Sequence, residues 1–598
     1  MNFFDFYNGK CYHAYQYLGA HPENGGVTFR TYAPRATRVA LIGEWNQWEE
    51  RPMHRTQDGR FWECFVPSAA PGQMYKYRIY APKPVDHCDP YGFGMELRPN
   101  SASVVRDLGK FQFDDADWMN RRTDCKCAPL NIYEIHFGSF RKPSEKTDDW
   151  YRYEELGEIL IPYLVENGYT HVEIMPIGEY PCDESWGYQS TGFFSPTSRY
   201  GTADGLRAFV NDCHRAGIGV LLDFVPVHFA VDEYGLVNYD GSPLYEYPND
   251  AVGVSEWGSH NFVHSRGEVA SFLESAANYW LTEYHIDGLR MDAISRILYW
   301  QGDTARGVNT CAVSFLREMN AGLKSLHPTV ILAAEDSTSF PGVTCPVACG
   351  GLGFDYKWDM GWMNDTLDYF RTAPEYRPTN YHKLTFSMMY YYSENFLLPL
   401  SHDEVVHGKA TILQKMNGQY EDKFPQARAM YLYMYTHPGK KLNFMGNEFG
   451  QLREWDEKRE QDWQILTYPA HDAFRRYMKD LCHLYLNHPA LYADDYSLNG
   501  FEWLDCHEEP ISVYAFIRRG GNEQILTVFN FSDQKQIYRH TVPDTAKLTL
   551  LLDSDRDIYS GSTPSPTPCL LPEKGNFTFS LPRFSAVCYL MEPIKKEK

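Results

Sequence analysis

The spacing pattern of hydrophobic and polar residues changes twice along the chain. Up to about residue 110, short runs in which hydrophobic and polar residues alternate are separated by turn residues, at 26–32, 38–43, 61–66 and 74–79. From about Pro129, apolar strand-like runs alternate with segments of helical spacing, and beyond about Ala490 short strand-like runs return at 511–517, 524–529 and 586–590. These patterns predict an N-terminal β-sandwich over residues 1–115, a central α/β domain over 116–488 and a C-terminal β-sandwich over 489–598.

The central domain contains eight candidate strands. They lie at 132–136, 171–175, 219–223, 288–292, 330–335, 353–356, 395–400 and 442–445. Helical spacing fills most of the gaps, as at 153–166, 203–216 and 268–284. Eight strand–helix repeats predict a (β/α)8 TIM barrel. A polar, glycine-rich insertion at 230–267 follows the third strand, and we expect a lid or subdomain there because loops of this length are uncommon without a function.

Charged side chains cluster where the predicted strands end. They are Asp223 on the third strand, Arg290 and Asp292 on the fourth, Glu335 on the fifth, and His402 and Asp403 after the seventh. The loops at the carboxyl ends of barrel strands form one face, so we expect these side chains to converge. One acidic residue after a strand is usually a helix cap or turn residue. Four strands that all end this way instead predict a chemical site.

Crowded carboxylates need a counter-charge, which a metal ion or a basic side chain can supply. A metal could use His228, His402 and the aspartates. However, Arg290 lies two residues from Asp292 in an extended strand, so both side chains project to the same face. A fixed cation keeps Asp292 ionised and makes a metal redundant. We therefore favour an acid/base site with no metal and no other cofactor.

Composition and charge narrow the partners. The 598 residues include 56 basic and 78 acidic side chains, a net charge of −22, which argues against nucleic acid and anionic membranes as partners. No apolar run approaches the ~20 residues that span a bilayer. Fourteen scattered cysteines without a CxxC pair, and a start without a signal-peptide pattern, lead us to expect a reduced cytoplasmic location.

Four motifs resemble those of a known superfamily. The runs DFVPVH (223–228) and GLRMDA (288–293), together with Glu335 and SHDE (401–404), resemble the signature regions of the α-amylase superfamily. Four further runs are similar to the 1,4-α-glucan (glycogen) branching enzymes: SWGYQ (185–189), FFSPTSRYGT (193–202), STSFPGVT (337–344) and GNEFGQ (446–451) with EW (454–455). The runs YLGAH (17–21), FRTYAP (29–34) and GEWNQW (43–48) look like the glucan-binding module that precedes the barrel in that family.

The resemblance implies a transglycosylase that cleaves α-1,4 bonds of a linear glucan and transfers the chain to a 6-hydroxyl, forming the α-1,6 branches of glycogen. It implies a retaining double displacement, in which Asp292 is the nucleophile and Glu335 is the acid and base, with a pKa that burial would raise. Asp403 would stabilise the transition state. The residues that would hold the sugar are Tyr188, Asp223, His228, Arg290 and His402.

Two departures from the family pattern bear on ligands. Val227 stands where calcium-binding amylases have Asn before the histidine, so we expect no calcium there. Arg296 replaces one of the smaller residues expected after Asp292, and it could alter packing or acceptor contacts.

Two alternative functions stay open at this stage. The first is an α-glucan hydrolase of the amylase or debranching type on the same barrel, in which water reaches the intermediate before a 6-hydroxyl does. The second is a non-catalytic glucan-binding protein, although all three acidic residues are present.

Aromatic residues make up 16% of the chain, with 35 Phe, 44 Tyr and 14 Trp. A neutral glucan suits such a protein, because each sugar ring has a face of C–H groups that packs on aromatic rings. We expect secondary glucan contacts at Trp45, Trp62 and Trp257, and we expect Trp48 in the core. The predicted partner is an α-glucan such as glycogen or amylose, and we expect a monomer.

Overall fold

The structure is a computed structural model that describes residues 1–23, 25–56 and 58–593. Its contacts divide the chain into two compact units. The first unit comprises Met1–Thr123, His136–Ile161 and Glu173–Asp355. The second comprises Asp124–Ile135, Pro162–Val172 and the chain from Tyr356 onward.

The N-terminal region forms two antiparallel sheets from short strands. The strands are β1 (Gly19–Glu23), β2 (Gly26–Tyr32), β3 (Arg38–Gly43), β4 (Arg51–Pro52), β5 (His54–Arg55), β6 (Phe61–Val66), β7 (Met74–Tyr80), β8 (Pro84–His87) and β9 (Ser103–Val104). One sheet has the order β1-β2-β6-β5, and the other has the order β4-β3-β7-β8 with β9 paired to β7. Along β7 every second residue is buried, which is the pattern of a strand with one face on a core. The predicted N-terminal β-sandwich is confirmed.

The central region contains the parallel barrel and two short hairpins. Its strands are β10 (Asn131–Ile135), β11 (His171–Ile174), β12 (Gly178–Glu179), β13 (Gly192–Pro196), β14 (Gly219–Phe224), β15 (His228–Phe229), β16 (His260–Asn261), β17 (Gly288–Met291), β18 (Ile331–Ala334), β19 (Tyr356–Trp358), β20 (Phe396–Leu400) and β21 (Lys440–Phe444). Eight of them close into a barrel in the order β10-β11-β14-β17-β18-β19-β20-β21. Their residues are buried throughout, because the strands of such a barrel are covered on both faces. The predicted TIM barrel is confirmed.

The structure also contains α-helices. They are α1 (Phe3–Tyr7), α2 (Ala116–Arg121), α3 (Phe137–Phe140), α4 (Tyr153–Asn167), α5 (Ala203–Arg215), α6 (Asp250–Gly253), α7 (Gly267–Glu283), α8 (Ser295–Leu298), α9 (Thr310–Leu326), α10 (Met360–Arg371), α11 (Lys383–Tyr390), α12 (Ile412–Lys415), α13 (Tyr420–Thr436) and α14 (Pro469–Asn487). Three of them, α4, α5 and α7, lie at the segments that helical spacing predicts. Local chemistry sets the ends of the helices. For example, the Thr202 hydroxyl accepts a hydrogen bond from the Gly205 N–H and so caps α5.

One predicted strand of the central region differs from the structure in its bounds. The sixth strand begins at Tyr356 rather than at 353. It starts later because the Asp355 carboxylate, just before it, accepts hydrogen bonds from the Leu332 backbone N–H and the Lys324 ammonium. The insertion at 230–267 contains α6 and β16. Within the first unit, two hydrogen bonds join it to the N-terminal sandwich: one between the Tyr239 and Thr31 hydroxyls (2.7 Å) and one from the Arg35 N–H to Asp240 (2.9 Å).

The C-terminal region is an all-β structure. Its strands are β22 (Phe501–Glu508), β23 (Val513–Gly520), β24 (Glu523–Asn530), β25 (Gln536–His540), β26 (Thr545–Asp553), β27 (Cys569–Leu570), β28 (Phe577–Leu581) and β29 (Ser585–Pro593). A six-stranded sheet, β22-β23-β24-β29-β26-β27, and the β25-β28 pair enclose a core that includes Val528, Phe579 and Val587. The predicted C-terminal β-sandwich is confirmed. In the described part of the chain, no helix is both long and apolar enough to cross a membrane.

Candidate active site

Strand register brings the predicted site residues of the first unit together. Asp223 on β14 lies opposite Arg290 on β17, and Arg290 lies opposite Ala333 on β18. The ladder continues past the strand ends, since the Asp292 N–H bonds to the Phe224 carbonyl (3.0 Å) and the Glu335 N–H to the Met291 carbonyl (3.1 Å). Three neighbouring strands therefore deliver their charged side chains to one edge.

Arg290 is the centre of this cluster. Its first terminal nitrogen forms an ion pair with Asp223 and lies 3.0 Å from Asp292 Oδ1, while its second lies 3.2 Å from Glu335 Oε2. Burial alone would lower the pKa of Arg290, but the charges of the surrounding acidic groups, Asp223 first, outweigh burial and raise it. A single guanidinium thus faces three carboxylates, and the placement of Arg290 beside Asp292 agrees with the sequence prediction.

Exposure separates the three carboxylates. The side chain of Asp223 is 1% exposed, whereas those of Asp292 and Glu335 are 13% and 14% exposed. Glu335 Oε2 also accepts a hydrogen bond from the Ala293 N–H at 2.6 Å, on the residue that follows Asp292. Asp292 and Glu335 are therefore the two acids of the cluster that a ligand can reach, and Asp223 is a buried partner.

Tyr188 joins the cluster from the loop after β11. Its hydroxyl donates to Asp223 Oδ2 at 2.6 Å and accepts from Arg290 at 3.3 Å. Gly187 makes this placement possible, because it has φ +94° and a Cβ there would lie 2.2 Å from the Pro176 carbonyl oxygen. The half-buried ring of Tyr188 is thereby held beside the buried ion pair.

His228 lies in β15, just beyond β14, and is buried. Burial, and to a smaller extent the nearby charge of Arg296, lowers the pKa of His228 to about 4. The imidazole is therefore neutral at physiological pH and can both donate and accept a hydrogen bond. Its ring lies 5.3 Å from the ring of Trp257, which belongs to the insertion and is 46% exposed.

The second unit carries its own cluster after β20. The backbone N–H of His402 donates to Glu134 Oε2 at 2.9 Å, and the ring nitrogen Nδ1 of His402 lies 2.5 Å from Glu134 Oε1. The other ring nitrogen of His402 lies 3.5 Å from Asp403 Oδ1, and the Asp403 side chain is 44% exposed. Glu134 thus orients the histidine, and Asp403 presents an accessible carboxylate.

Across residues 1–23, 25–56 and 58–593, no group of three or more His, Cys, Asp or Glu side chains is arranged to hold a metal ion. Val227 is buried and its side chain has no oxygen. The absence of a calcium site at this position stays a prediction.

Family models match three parts of the chain. Residues 17–92 match carbohydrate-binding module 48 (isoamylase N-terminal domain), residues 159–237 match the alpha amylase catalytic domain, and residues 503–592 match the alpha amylase C-terminal all-beta domain. A protein of Salmonella typhimurium that is described as an alpha amylase, solved at 1.4 Å, has the same fold, with a TM-score of 0.73 at 19% identity over 96% of this chain and 99% of that one.

Curated relatives match nearly the whole chain. A 1,4-alpha-glucan branching enzyme of Fusobacterium nucleatum subsp. nucleatum is 46% identical over 567 residues, which cover 93% of this chain and 92% of that enzyme. The 1,4-alpha-glucan branching enzyme of Geobacillus stearothermophilus is 43% identical over 570 residues, or 93% of this chain and 89% of that enzyme. The chain belongs to the 1,4-α-glucan branching enzyme family.

The sequence pattern does not single out one residue of the cluster after β20. Glu134 is a charged residue inside β10, whose residues are all buried, and it holds His402. A carboxylate in the middle of such a strand is itself a signal, because burying it without a partner is costly.

The tryptophans of the N-terminal sandwich only partly follow the expectation. Trp62 is 5% exposed, its indole N–H donates to the Ala33 carbonyl, and Arg55 lies over its ring, so the expectation of an open platform there is wrong. Trp48, which we expected in the core, is 38% exposed. Trp45 is half-buried, with its ring 5.1 Å from that of Phe29.

Proposed function

We propose that this branching enzyme cleaves an α-1,4 bond of a linear glucan and transfers the released chain to a 6-hydroxyl, forming the α-1,6 branches of glycogen with retention at the anomeric carbon. The observation that carries the proposal is the Arg290 cluster, in which two partly exposed acids, Asp292 and Glu335, flank one buried cation. Family membership supports branching over hydrolysis on the same barrel.

In the first step Asp292 attacks the anomeric carbon. A bond forms between C1 and a carboxylate oxygen of Asp292 while the bond from C1 to the glycosidic oxygen breaks, and Glu335 gives its proton to that leaving oxygen. Arg290, 3.0 Å from Asp292, keeps the nucleophile ionised before attack. The products are a glycosyl–enzyme ester and a shortened glucan.

In the second step the 6-hydroxyl oxygen of an acceptor glucan attacks C1. Its proton goes to the carboxylate of Glu335, the ester bond to Asp292 breaks, and both acids return to their starting states. Two inversions at C1 give net retention, which an α-1,4 to α-1,6 transfer requires.

Neighbouring groups hold the sugar at C1. Tyr188, whose hydroxyl is fixed by Asp223, packs against the ring, and the neutral imidazole of His228 bonds to its hydroxyls. Asp403 holds sugar hydroxyls and stabilises the transition state, and His402, oriented by Glu134, bonds to the same ring.

The remaining parts of the proposal concern domains, partners and location. Residues 1–115 form a carbohydrate-binding module, 116–488 the catalytic barrel with its insertion at 230–267, and 489–598 the C-terminal domain. Trp45 and Trp257 are secondary glucan contacts. The enzyme works as a cytoplasmic monomer without metal or other cofactor, and buried free thiols such as Cys88 and Cys588 suit a reducing compartment.

The test is to incubate the protein with amylose and follow iodine absorbance, reducing ends and α-1,6 anomeric protons. We expect iodine absorbance to fall and α-1,6 signals to grow while few reducing ends appear. If reducing ends grow in step with the loss of iodine absorbance, the enzyme is a hydrolase. If nothing changes while amylose still binds, it is a glucan-binding protein.

A further inference from the structure

Arg296, in α8 just after Asp292, makes contacts that the reaction itself does not use. Its guanidinium carbon lies 4.8 Å from the centre of the Trp257 ring, within the range of a cation–π contact. One of its terminal nitrogens pairs with Glu256, next to Trp257, and the other donates to the Gln301 carbonyl at 2.6 Å. Its side chain is 18% exposed.

The aliphatic part of the Arg296 side chain is held as closely as its guanidinium group. Gly302 has φ +69°, and a Cβ there would lie 2.7 Å from Arg296 Cδ, so the close approach requires a glycine. The loop after α8 is in turn tied to the insertion, since the Gln301 side-chain amide donates to the Val254 carbonyl at 2.9 Å. The planar guanidinium therefore has a fixed position when it meets the indole.

Trp257 is held from other sides as well. The Gln189 side chain, next to Tyr188, donates to the Trp257 carbonyl at 3.1 Å. The indole ring lies 5.3 Å from the ring of His228, and 46% of the residue stays exposed. A partly exposed aromatic ring, fixed beside a residue of the site, is the kind of surface on which a sugar packs.

We infer that Arg296 is a positioning residue that holds Trp257 as a contact for the glucan unit next to the one bound at His228, and that it thereby sets the preference of the enzyme for glucan chain length. This inference rests on the proposed function of the Asp292 and Glu335 site. Arg296 acts through Trp257 and touches no reacting atom. Its loss should weaken glucan binding and leave the bond-making steps intact.

The variants are Arg296→Met, which removes the charge but keeps the length, Trp257→Ala and the double variant. We expect Arg296→Met to raise KM for amylose by roughly threefold to tenfold, the size of one cation–π contact at a partly exposed site, and to leave kcat within about twofold. The distribution of transferred chain lengths should shift in the same direction in Arg296→Met and Trp257→Ala. The double variant should be no worse than Trp257→Ala, because residues that act as one unit are not additive.

Arg583 provides a matched control. Its guanidinium carbon lies 5.6 Å from the centre of the Phe584 ring and the side chain pairs with Asp422 at 2.5 Å, so Arg583→Met removes the same kind of contact away from the site and from the carbohydrate-binding module. This variant should change neither KM nor the chain-length distribution. Arg296→Lys keeps a cation but loses the planar fork, and we expect KM between those of wild type and Arg296→Met.

Binding of maltoheptaose to these variants in an Asp292→Asn background, measured by titration calorimetry, separates this inference from the proposed function. Weaker binding for Arg296→Met, or for Arg296→Lys if the Met variant does not fold, supports the inference. An unchanged dissociation constant and an unchanged chain-length distribution would overturn it, as would additive effects in the double variant. A failure of the proposed function looks different, because the wild-type enzyme itself would then make no α-1,6 bonds.

Discussion

The two ends of β17 each carry an aspartate and use it in opposite ways. Asp287, just before the strand, accepts hydrogen bonds from the Val220 N–H (2.7 Å), the Trp118 indole N–H (2.9 Å) and His214 (2.8 Å). Asp292, just after the strand, shares the guanidinium of Arg290 with two other carboxylates and is 13% exposed. The first aspartate is enclosed by donors, and the second is left accessible.

Charge balance explains the difference. Burial alone would raise the pKa of Asp287, but the charge and hydrogen bond of His214, with the other donors, outweigh it and lower the pKa to about 2. Burial lowers the pKa of His214, yet the charge of Asp287 and the hydrogen bond that His214 donates to Asp115 outweigh that effect and raise it. At β17, the charge at the amino-terminal end is therefore enclosed by buried partners, whereas the charges at the carboxyl-terminal end stay accessible, and that is the end at which barrel enzymes place their chemistry.

The largest expected effect comes from substitutions in the cluster at the carboxyl-terminal end of β17. Asp292→Asn removes the proposed nucleophile, and we expect branching activity to fall by about 10⁴-fold or more while the melting temperature stays close to that of wild type. Glu335→Gln, which removes the proposed proton donor, should act in the same direction. Activity on amylose and thermal unfolding measure both. Near-full activity in either variant would show that the catalytic roles are wrongly assigned.

The next largest effect is expected for a substitution at the amino-terminal end of β17. Asp287→Asn removes one of the two carboxylates that pair with the buried His214, and we expect the free energy of unfolding to fall by about 3 kcal/mol. At temperatures where the variant is folded, kcat should stay within about twofold of wild type. Urea unfolding and the amylose assay test this contrast. If activity fell as steeply as in Asp292→Asn, the two ends of β17 would not be functionally separate.

The lowered pKa of Asp287 predicts that the free energy of unfolding depends on pH in the acid range. The folded-state pKa of Asp287, about 2, lies below its ordinary value of 3.8, so its stabilising contribution is present above about pH 4 and is lost as pH falls through about 2. We expect this loss to be about 2 kcal/mol in the wild type and to be absent in Asp287→Asn. The raised pKa of His214 works in the other direction, because its contribution is complete below pH 6.5 and is lost as pH rises through the folded-state pKa. Unfolding free energies across the pH range would separate the two.

The smallest effects are expected for substitutions that remove one hydrogen-bond donor near each end of β17. Tyr188→Phe deletes the hydrogen bond to Asp223, and we expect kcat/KM to fall by roughly tenfold to a hundredfold with little change in stability. Trp118→Phe deletes the hydrogen bond to Asp287, and we expect a loss of about 1–2 kcal/mol of stability with unchanged kcat/KM. Each variant is the control for the other, and matching effects on activity would contradict the division of roles.

Much of the fold and the centre of the site could be predicted because both depend on local spacing. All eight barrel strands lie at or beside their predicted positions, and the two-residue spacing of Arg290 and Asp292 correctly predicted that they meet. Trp62 was misplaced because the pattern of a short strand is the same whether a tryptophan ring in it faces the core or solvent. Trp48 was misplaced because it lies in a turn between β3 and β4, with φ +64°, where no strand alternation applies. Only packing between the two sheets of the sandwich settles which face is covered.

By itself, the sequence determined which elements form, in what order, and which charged residues end the strands, because these features depend on hydrophobic period and on neighbours a few residues apart. Tertiary structure alone decided which distant partners each charge meets: Glu134 with His402, His214 with Asp287, and Arg296 with Trp257. The barrel brings these residues together across gaps of 39 to 268 positions. Such contacts follow from how strands and loops close in space, and no local pattern in the chain records them.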